Sequence, residues 1–220
     1  RGAAPRAPAA AGGGRHAQVR TASRTPPSLP TLGHADQQQL LQGSEVQRQQ
    51  RKGRTGWGYV VTDVQAPPEV VMSCLEAFRE YPRMIPVVRH ATIHSHERSE
   101  GGATVARCTY SVSRFCFGIS VEHKVDPAAG TVLFDLDRER PSLALQECTG
   151  FWHAEPAPEG SGALSRVWLY VQGLRTHPLL PHWLVDYAAE RALARATDWL
   201  RPHAEDVWRR RQQQAKPHGQ

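Results

Sequence analysis

Apolar and polar residues alternate along much of the chain between residue 57 and residue 173, a pattern typical of β-strands with one buried face. The first such segment is the run 58–65. A short helix is predicted directly after it, because Pro67 and Pro68 fit the first turn of a helix and Glu69 suits its electropositive end. The pattern therefore begins with a strand that is followed by a helix.

A nearly continuous series of strands follows this helix. Turn-forming residues such as Gly101 and Gly102 separate neighbouring segments. Connections this short favour antiparallel pairing of consecutive strands. We predict six of these strands, at about residues 87–95, 103–113, 116–126, 130–137, 143–155 and 164–173.

The last predicted element is a long helix that begins after Pro181. On a helical wheel its apolar residues form one stripe, which consists of Val185, Ala189, Ala192, Leu193, Ala196 and Leu200. The apolar face of the sheet is the only partner large enough to cover this stripe. The sequence thus predicts an α+β fold, in which a curved antiparallel sheet of about six to seven strands wraps around a long C-terminal helix.

Three of the stripe residues are alanines, and two interpretations of them stay open. Small side chains that face a curved sheet leave a hollow, and an apolar hollow is a place for a ligand. Alanines also allow a helix to approach a sheet closely, and native interiors normally fill their voids.

The first 56 residues have a different composition from the rest. They contain nine basic and two acidic residues, whereas residues 57–220 contain 18 basic and 19 acidic residues. The first 35 residues contain five arginines and no acidic residue. Such a leader is typical of chloroplast and mitochondrial transit peptides, and a disordered extension without an address is the alternative. We predict that residues 1–56 are a disordered tail outside the fold, made of a transit-peptide remnant and a linker. The predicted localisation is a chloroplast or mitochondrion.

The near-neutral charge of residues 57–220 argues against a nucleic-acid-binding face. No apolar run approaches the roughly 20 residues that a membrane-spanning helix needs. Residues 206–220 are predicted to be a basic, polar tail. Trp208 and the arginines at 209–211 favour transient contact with an acidic membrane surface, and a solvated helix end is the alternative. The oligomeric state stays open.

Residues that could support catalysis or metal binding do not form a pattern that predicts either. His94 and His96 share one side of a strand, but a third ligand with suitable spacing is missing. Glu122 and His123 lie on opposite faces of a strand and cannot form a dyad with each other. The sequence therefore predicts no catalytic residue, no metal and no cofactor.

Two segments resemble the opening of the coenzyme Q-binding branch of the START-like (SRPBCC) superfamily: residues 64–71, with the sequence VQAPPEVV, and residues 81–86, with the sequence YPRMIP. The order of predicted elements over residues 57–205 is similar to the helix-grip fold of that superfamily, which includes polyketide cyclase/dehydrase-like and lipid-transport proteins. The resemblance implies an apolar cavity between the sheet and the long helix. It implies no catalytic residue, because the superfamily has no universal catalytic motif.

We therefore predict a START-like domain at residues 57–205 with a ligand cavity. The opening of the cavity is expected near Tyr81, Met84 and Ile85, where prolines interrupt the chain. The predicted lining comes from the inward-facing strand residues and from the stripe of the long helix: Phe117, Ile119, Val121, Val132, Phe134, Leu136, Leu169, Val171, Ala189, Ala192, Leu193 and Ala196.

Three functional hypotheses follow. The first is a non-enzymatic protein that binds or carries a hydrophobic small molecule, such as a prenylquinone or a lipid. The second is a cyclase- or hydratase-type enzyme that uses His90, His153 or Tyr110 for proton transfer. The third is a ligand-free interaction module that assists a membrane enzyme.

Overall fold

The computed structural model describes residues 28–98, 102–112, 117–158, 163–181 and 195–215. In these residues eight strands form one antiparallel sheet, in the order β1-β2-β8-β7-β6-β5-β4-β3. The strands are β1 (Val46–Lys52), β2 (Thr55–Val64), β3 (Val88–Arg98), β4 (Thr104–Val112), β5 (Phe117–Asp126), β6 (Thr131–Leu136), β7 (Leu145–Pro156) and β8 (Ser165–Thr176). The six strands predicted after residue 86 are thus confirmed, and the described sheet contains more strands than the sequence predicts.

Helices lie on both faces of this sheet. They are α1 (His34–Leu41), α2 (Pro68–Leu75), α3 (Tyr81–Met84) and α4 (Leu200–Ala215), and a 3₁₀ turn (Phe78–Glu80) precedes α3. Helix α2 begins as predicted, with Pro68 and Glu69 in its first turn. None of the helices in the described part of the chain is both long and apolar enough to cross a membrane.

The sheet has two unlike faces, which we call the inner and the outer face. Register shifts in β2, β3 and β7 interrupt the pairing, and such bulges bend a sheet. The inner face packs against α2, α3 and α4 in one core cluster that includes Val71, Leu75, Val132, Val167 and Leu200. This arrangement confirms the predicted α+β fold with a sheet that packs against a C-terminal helix.

The outer face carries a second, smaller core. It consists of Leu40 from α1, Val46 from β1, Tyr59 and Val61 from β2, and Trp168 from β8. Since side chains alternate along a strand, Tyr59 and Val61 face away from the core that contains Val64. Helix α1 therefore packs on the face of the sheet opposite to α4.

The predicted domain start at residue 57 is wrong, because α1 and β1 belong to the fold. β1 pairs along its whole length with β2, from Val46 opposite Val61 to Lys52 opposite Thr55. β1 is an edge strand, and only Val46 is fully buried in it. The other side chains of β1 are polar, so the composition of this segment resembles that of a linker. Residues 1–27 lie outside the described residues, and the transit peptide stays a prediction.

The predicted polar tail at 206–220 is also wrong as far as residue 215, because α4 continues through it. Leu200 and Ala204 are buried, and Val207 and Trp208 pack against the same core at helical spacing. Arg201 fixes the start of α4, since its Nε donates to the carbonyl oxygen of Asp63 (2.9 Å) and its Nη1 to that of Gly43 (2.6 Å). The arginines at 209–211 are exposed. They make the composition of this segment polar, although one side of the helix is apolar.

We expect the substitution Leu40→Ala to lower the free energy of unfolding by about 3 kcal/mol, because it opens a cavity in the outer core. The matched control is Leu41→Ala at the next position. Leu40 is 2% exposed and Leu41 is 59% exposed, so the control should cost less than about 0.5 kcal/mol. Chemical denaturation of the full chain measures both. Equal effects would mean that α1 does not pack on the sheet.

Candidate ligand-binding site

The sheet residues predicted to line a cavity belong to β5, β6 and β8, and apart from Phe117 they lie on the inner face, with β7 between β6 and β8. Residues that pair directly across neighbouring strands point to the same face. Val121 pairs with Cys108 of the inner core and with Leu136, and Tyr110 pairs with Ile119. The remaining predicted residues lie in two further rows across the sheet. Phe134 and Val171 share one row with His123 and Gly150, and Val132 and Leu169 share the other with Val125 and Trp152. The side chain of Phe117 lies outside what the structure describes.

The inner face is buried unevenly. Val125, Val132 and Leu169 are fully buried. Ile119, Val121, Phe134, Leu136 and Val171 are only half-buried, although they lie on the same face. Along β5, β6 and β8 the inner face is thus more deeply buried at one end than at the other, whereas on β4 both Cys108 and Tyr110 are buried.

The helical part of the predicted lining is described at one position only. Ala196 is half-buried, and its carbonyl oxygen accepts a hydrogen bond from Nε1 of Trp199 (2.7 Å). Ala189, Ala192 and Leu193 lie outside the described residues. The cavity between sheet and helix therefore stays a prediction.

The three residues predicted at the cavity opening differ in their surroundings. Tyr81 is buried, donates a hydrogen bond from its hydroxyl to the carbonyl oxygen of Leu75 (2.6 Å), and stacks on Tyr110 with 5.5 Å between ring centroids. It is therefore a core residue and not an exposed opening. Met84 and Ile85 are half-buried and pack against the edge of the same core.

Two polar side chains meet on the inner face, namely Tyr110 of β4 and His123 of β5. The Tyr110 hydroxyl lies 3.0 Å from Nε2 of His123. The imidazole ring stacks on Phe78 with 4.4 Å between centroids and 15° between the ring planes. Among the described residues, Nδ1 of His123 is buried and has no hydrogen-bond partner.

Burial determines the protonation of this pair. Removal from water lowers the pKa of His123 to about 3, because the charged imidazolium is disfavoured there. Burial likewise raises the pKa of the Tyr110 hydroxyl, and the nearby Tyr81 raises it further. Both groups are therefore neutral near pH 7.

The sequence pattern identifies Tyr110 as a candidate polar residue but misses His123. A signal was present, since His123 has the same strand parity as Ile119 and Val121 and must face inward with them. Glu122, the neighbour of His123, lies on the other face as predicted. Its carboxylate forms an ion pair with Nε of Arg107 at 3.0 Å.

The other two histidines considered for catalysis do not reach this pair. His90 is exposed on β3. His153 is buried on the outer face, where it pairs across the sheet with Trp168 and its Nδ1 lies 3.2 Å from Oγ1 of Thr131. Of the three candidates, only Tyr110 lies on the inner face.

A register shift between Ile93 and Ser95 interrupts β3 at the histidine pair. His94 and His96 are exposed, and Nε2 of His94 lies 2.7 Å from Oγ1 of Thr109. In the part of the chain that the structure describes, no three His, Cys, Asp or Glu side chains are grouped so that they could hold a metal ion.

Comparison with known proteins places this geometry in a known fold. No protein-family model and no curated protein sequence matches the chain. Solved structures do match. A START superfamily protein from Mycobacterium smegmatis has a TM-score of 0.55 at 14% identity, and the match covers 69% of this chain and 98% of that protein. The chain has a START-like fold.

Two further structures with this START-like fold differ in their described activities. The ZhuI aromatase/cyclase from Streptomyces sp. R1128 matches with a TM-score of 0.54 at 15% identity, over 73% of this chain and 94% of that one. A STAR-related lipid transfer protein from Xanthomonas axonopodis matches with a TM-score of 0.55 at 13% identity, over 73% and 92%. At these identities the likeness concerns the START-like fold alone, so the function must be argued from the site.

We expect His123 to make the START-like domain sensitive to acid. In the unfolded chain its imidazole takes up a proton near pH 6.5, whereas in the fold it does so only near pH 3. Protonation therefore favours the unfolded chain, and stability falls as the pH drops through this window. Between about pH 7 and pH 4.5 the loss from His123 should be on the order of 2 kcal/mol.

Denaturation of the His123→Phe variant across this pH range measures that contribution. Phenylalanine keeps the ring that stacks on Phe78 but cannot take up a proton, so the variant should lose less stability in acid than the native chain. His90→Gln, at an exposed position, should leave the pH profile unchanged. A His123→Phe profile as steep as the native one would contradict the assignment.

Proposed function

We propose that this protein binds or carries a hydrophobic small molecule on the inner face of its sheet, beneath the C-terminal helical region. The observation that carries the proposal is the group of half-buried apolar side chains at one end of that face, which includes Val121, Phe134 and Leu136. Removing apolar ligand surface from water contributes about 25 cal/mol per Å² of surface buried. An apolar molecule can thus be held there without a covalent step.

The chemistry of the inner face favours binding over catalysis. A general acid or base works best when its pKa lies near the working pH. Burial moves the pKa of His123 and the pKa of Tyr110 away from neutrality in opposite directions, and each shift opposes ionisation. Neither group is therefore suited to exchange protons with a substrate near pH 7, whereas both can form hydrogen bonds.

The solved structures with the same fold are compatible with this proposal. They include a protein described as a lipid transfer protein and a protein described as an aromatase/cyclase. We propose a prenylquinone or a similar lipid as the ligand class, since the sequence around residues 64–86 resembles the coenzyme Q-binding branch. Transient contact with a membrane surface through the basic end of α4 would give access to such a ligand.

Two measurements on the full chain test the proposal. Native mass spectrometry followed by organic extraction should find an apolar molecule retained by the purified protein. Decyl-1,4-benzoquinone should quench tryptophan fluorescence in a saturable way. If no molecule is retained and the quenching never saturates, the carrier function is wrong.

A pair of leucines on β6 provides a matched test of the position of the site. Leu136 is on the inner face, and Leu133 is on the outer face of the same strand. Leu136→Trp should fill space over the half-buried end and weaken decylbenzoquinone binding at least about tenfold, equal to about 1.4 kcal/mol. Leu133→Trp should leave the affinity unchanged. Equal affinities for the two variants would place the ligand elsewhere.

A further inference from the structure

The buried polar groups of the two faces of the sheet differ in how they are satisfied. On the outer face, the Arg166 guanidinium donates from Nε and Nη2 to the Asp63 carboxylate at 2.9 and 3.0 Å. His153, on the same face, has Thr131 at its Nδ1. His123 on the inner face is equally buried, but within the described residues its Nδ1 has no partner.

An unpaired buried nitrogen is costly, because it has lost its hydrogen bond to water and gained none in return. Such groups are uncommon in native proteins, and each one calls for an explanation. A ligand that supplies the missing hydrogen bond is one explanation, provided that the nitrogen lies beside the ligand site.

His123 lies next to the half-buried end of the inner face, where the ligand site is proposed. Along β5 it lies between the fully buried Val125 and the half-buried Val121. Across the sheet it is paired with the half-buried Phe134. Phe78 covers one face of the imidazole, and Tyr110 occupies its Nε2 edge. His123 therefore stands where the tightly packed core gives way to the proposed ligand site.

Tyr110 determines which kind of hydrogen bond Nδ1 can make. A phenol hydroxyl is a stronger donor than a neutral imidazole N–H, and an imidazole nitrogen is a stronger acceptor than a phenol oxygen. We therefore assign the Tyr110 hydroxyl as the donor to Nε2, which lies 3.0 Å away. A neutral imidazole has one hydrogen, so this bond leaves the hydrogen on Nδ1.

We propose that His123 is the polar anchor of the ligand site and that its Nδ1–H donates a hydrogen bond to a carbonyl oxygen of an otherwise apolar ligand. Tyr110 is a positioning residue, because it holds the imidazole in the tautomer that donates from Nδ1. This inference rests on the proposed binding function and narrows its ligand class to hydrophobic carbonyl compounds.

Three rigid tricyclic probes of similar shape test the anchor. Fluorene has no polar group, 9-fluorenone has a carbonyl acceptor, and carbazole has an N–H donor. The full native chain should bind 9-fluorenone about fivefold more tightly than fluorene, as expected for one neutral hydrogen bond. Carbazole should not exceed fluorene. Quenching of tryptophan fluorescence and equilibrium dialysis both measure these affinities.

Substitutions at the two residues should change the preference in different ways. His123→Phe should remove the advantage of 9-fluorenone over fluorene. Tyr110→Phe should allow the imidazole hydrogen to move to Nε2, because the donor to Nε2 is lost. The preference for 9-fluorenone over fluorene should then fall, and the affinity for carbazole should rise. Leu133→Trp on the outer face should behave as the native chain does.

A nuclear magnetic resonance measurement on the native chain needs no variant. With ¹⁵N-labelled histidine, 9-fluorenone should shift the Nδ1 resonance of His123. The Nδ1 resonance of His153 is the internal control, because that side chain is buried on the opposite face and bonded to Thr131. A shift confined to His153, or no shift at saturation, would overturn the proposal.

The remaining outcomes separate the anchor from the binding function. If all three probes bind saturably with equal affinity, the binding function stands and the role of His123 is wrong. Preferred binding of carbazole would also overturn it, since Nδ1 would then be an acceptor. If none of the three binds saturably, the ligand site itself is contradicted.

Discussion

The burial of one curved sheet face beneath helices is the interaction on which the rest of the structure depends. Val71 and Leu75 of α2 and Leu200 of α4 pack with Val132 and residues of the neighbouring strands in a single cluster. Because burial of apolar surface is the main favourable term in folding, this cluster fixes where α4 lies on the sheet. The half-buried end of the same face follows from it, since the cluster does not cover the whole face equally.

The two faces of the sheet differ in how their buried polar groups are satisfied. On the outer face, buried charges and side chains satisfy one another, as Asp63 and Arg166 do. That face is completed by α1 and by β1. On the inner face, Tyr110 and His123 satisfy each other in part, beside apolar side chains that are not fully packed. The proposed binding of a mainly apolar molecule rests on this difference between the faces.

Much of the fold could be predicted from the pattern of the sequence, because strand alternation and turn residues are local signals. The helix start at Pro68 and the inward face of β5 and β6 are confirmed on that basis. β1 could not be found this way, because an edge strand with a solvated surface has a polar composition. Strand parity alone predicts that His123 faces inward with Ile119 and Val121, because the three positions differ by two.

The sequence by itself determined which residues can share a face, because side chains alternate along a strand with a fixed period of two. It thereby placed Ile119 and Val121 on one face of their strand. Only the tertiary structure decided which face each helix covers and that Tyr110 of one strand meets His123 of the next. Such contacts depend on strand register and on packing between distant segments, and neither is encoded in the local pattern of one segment.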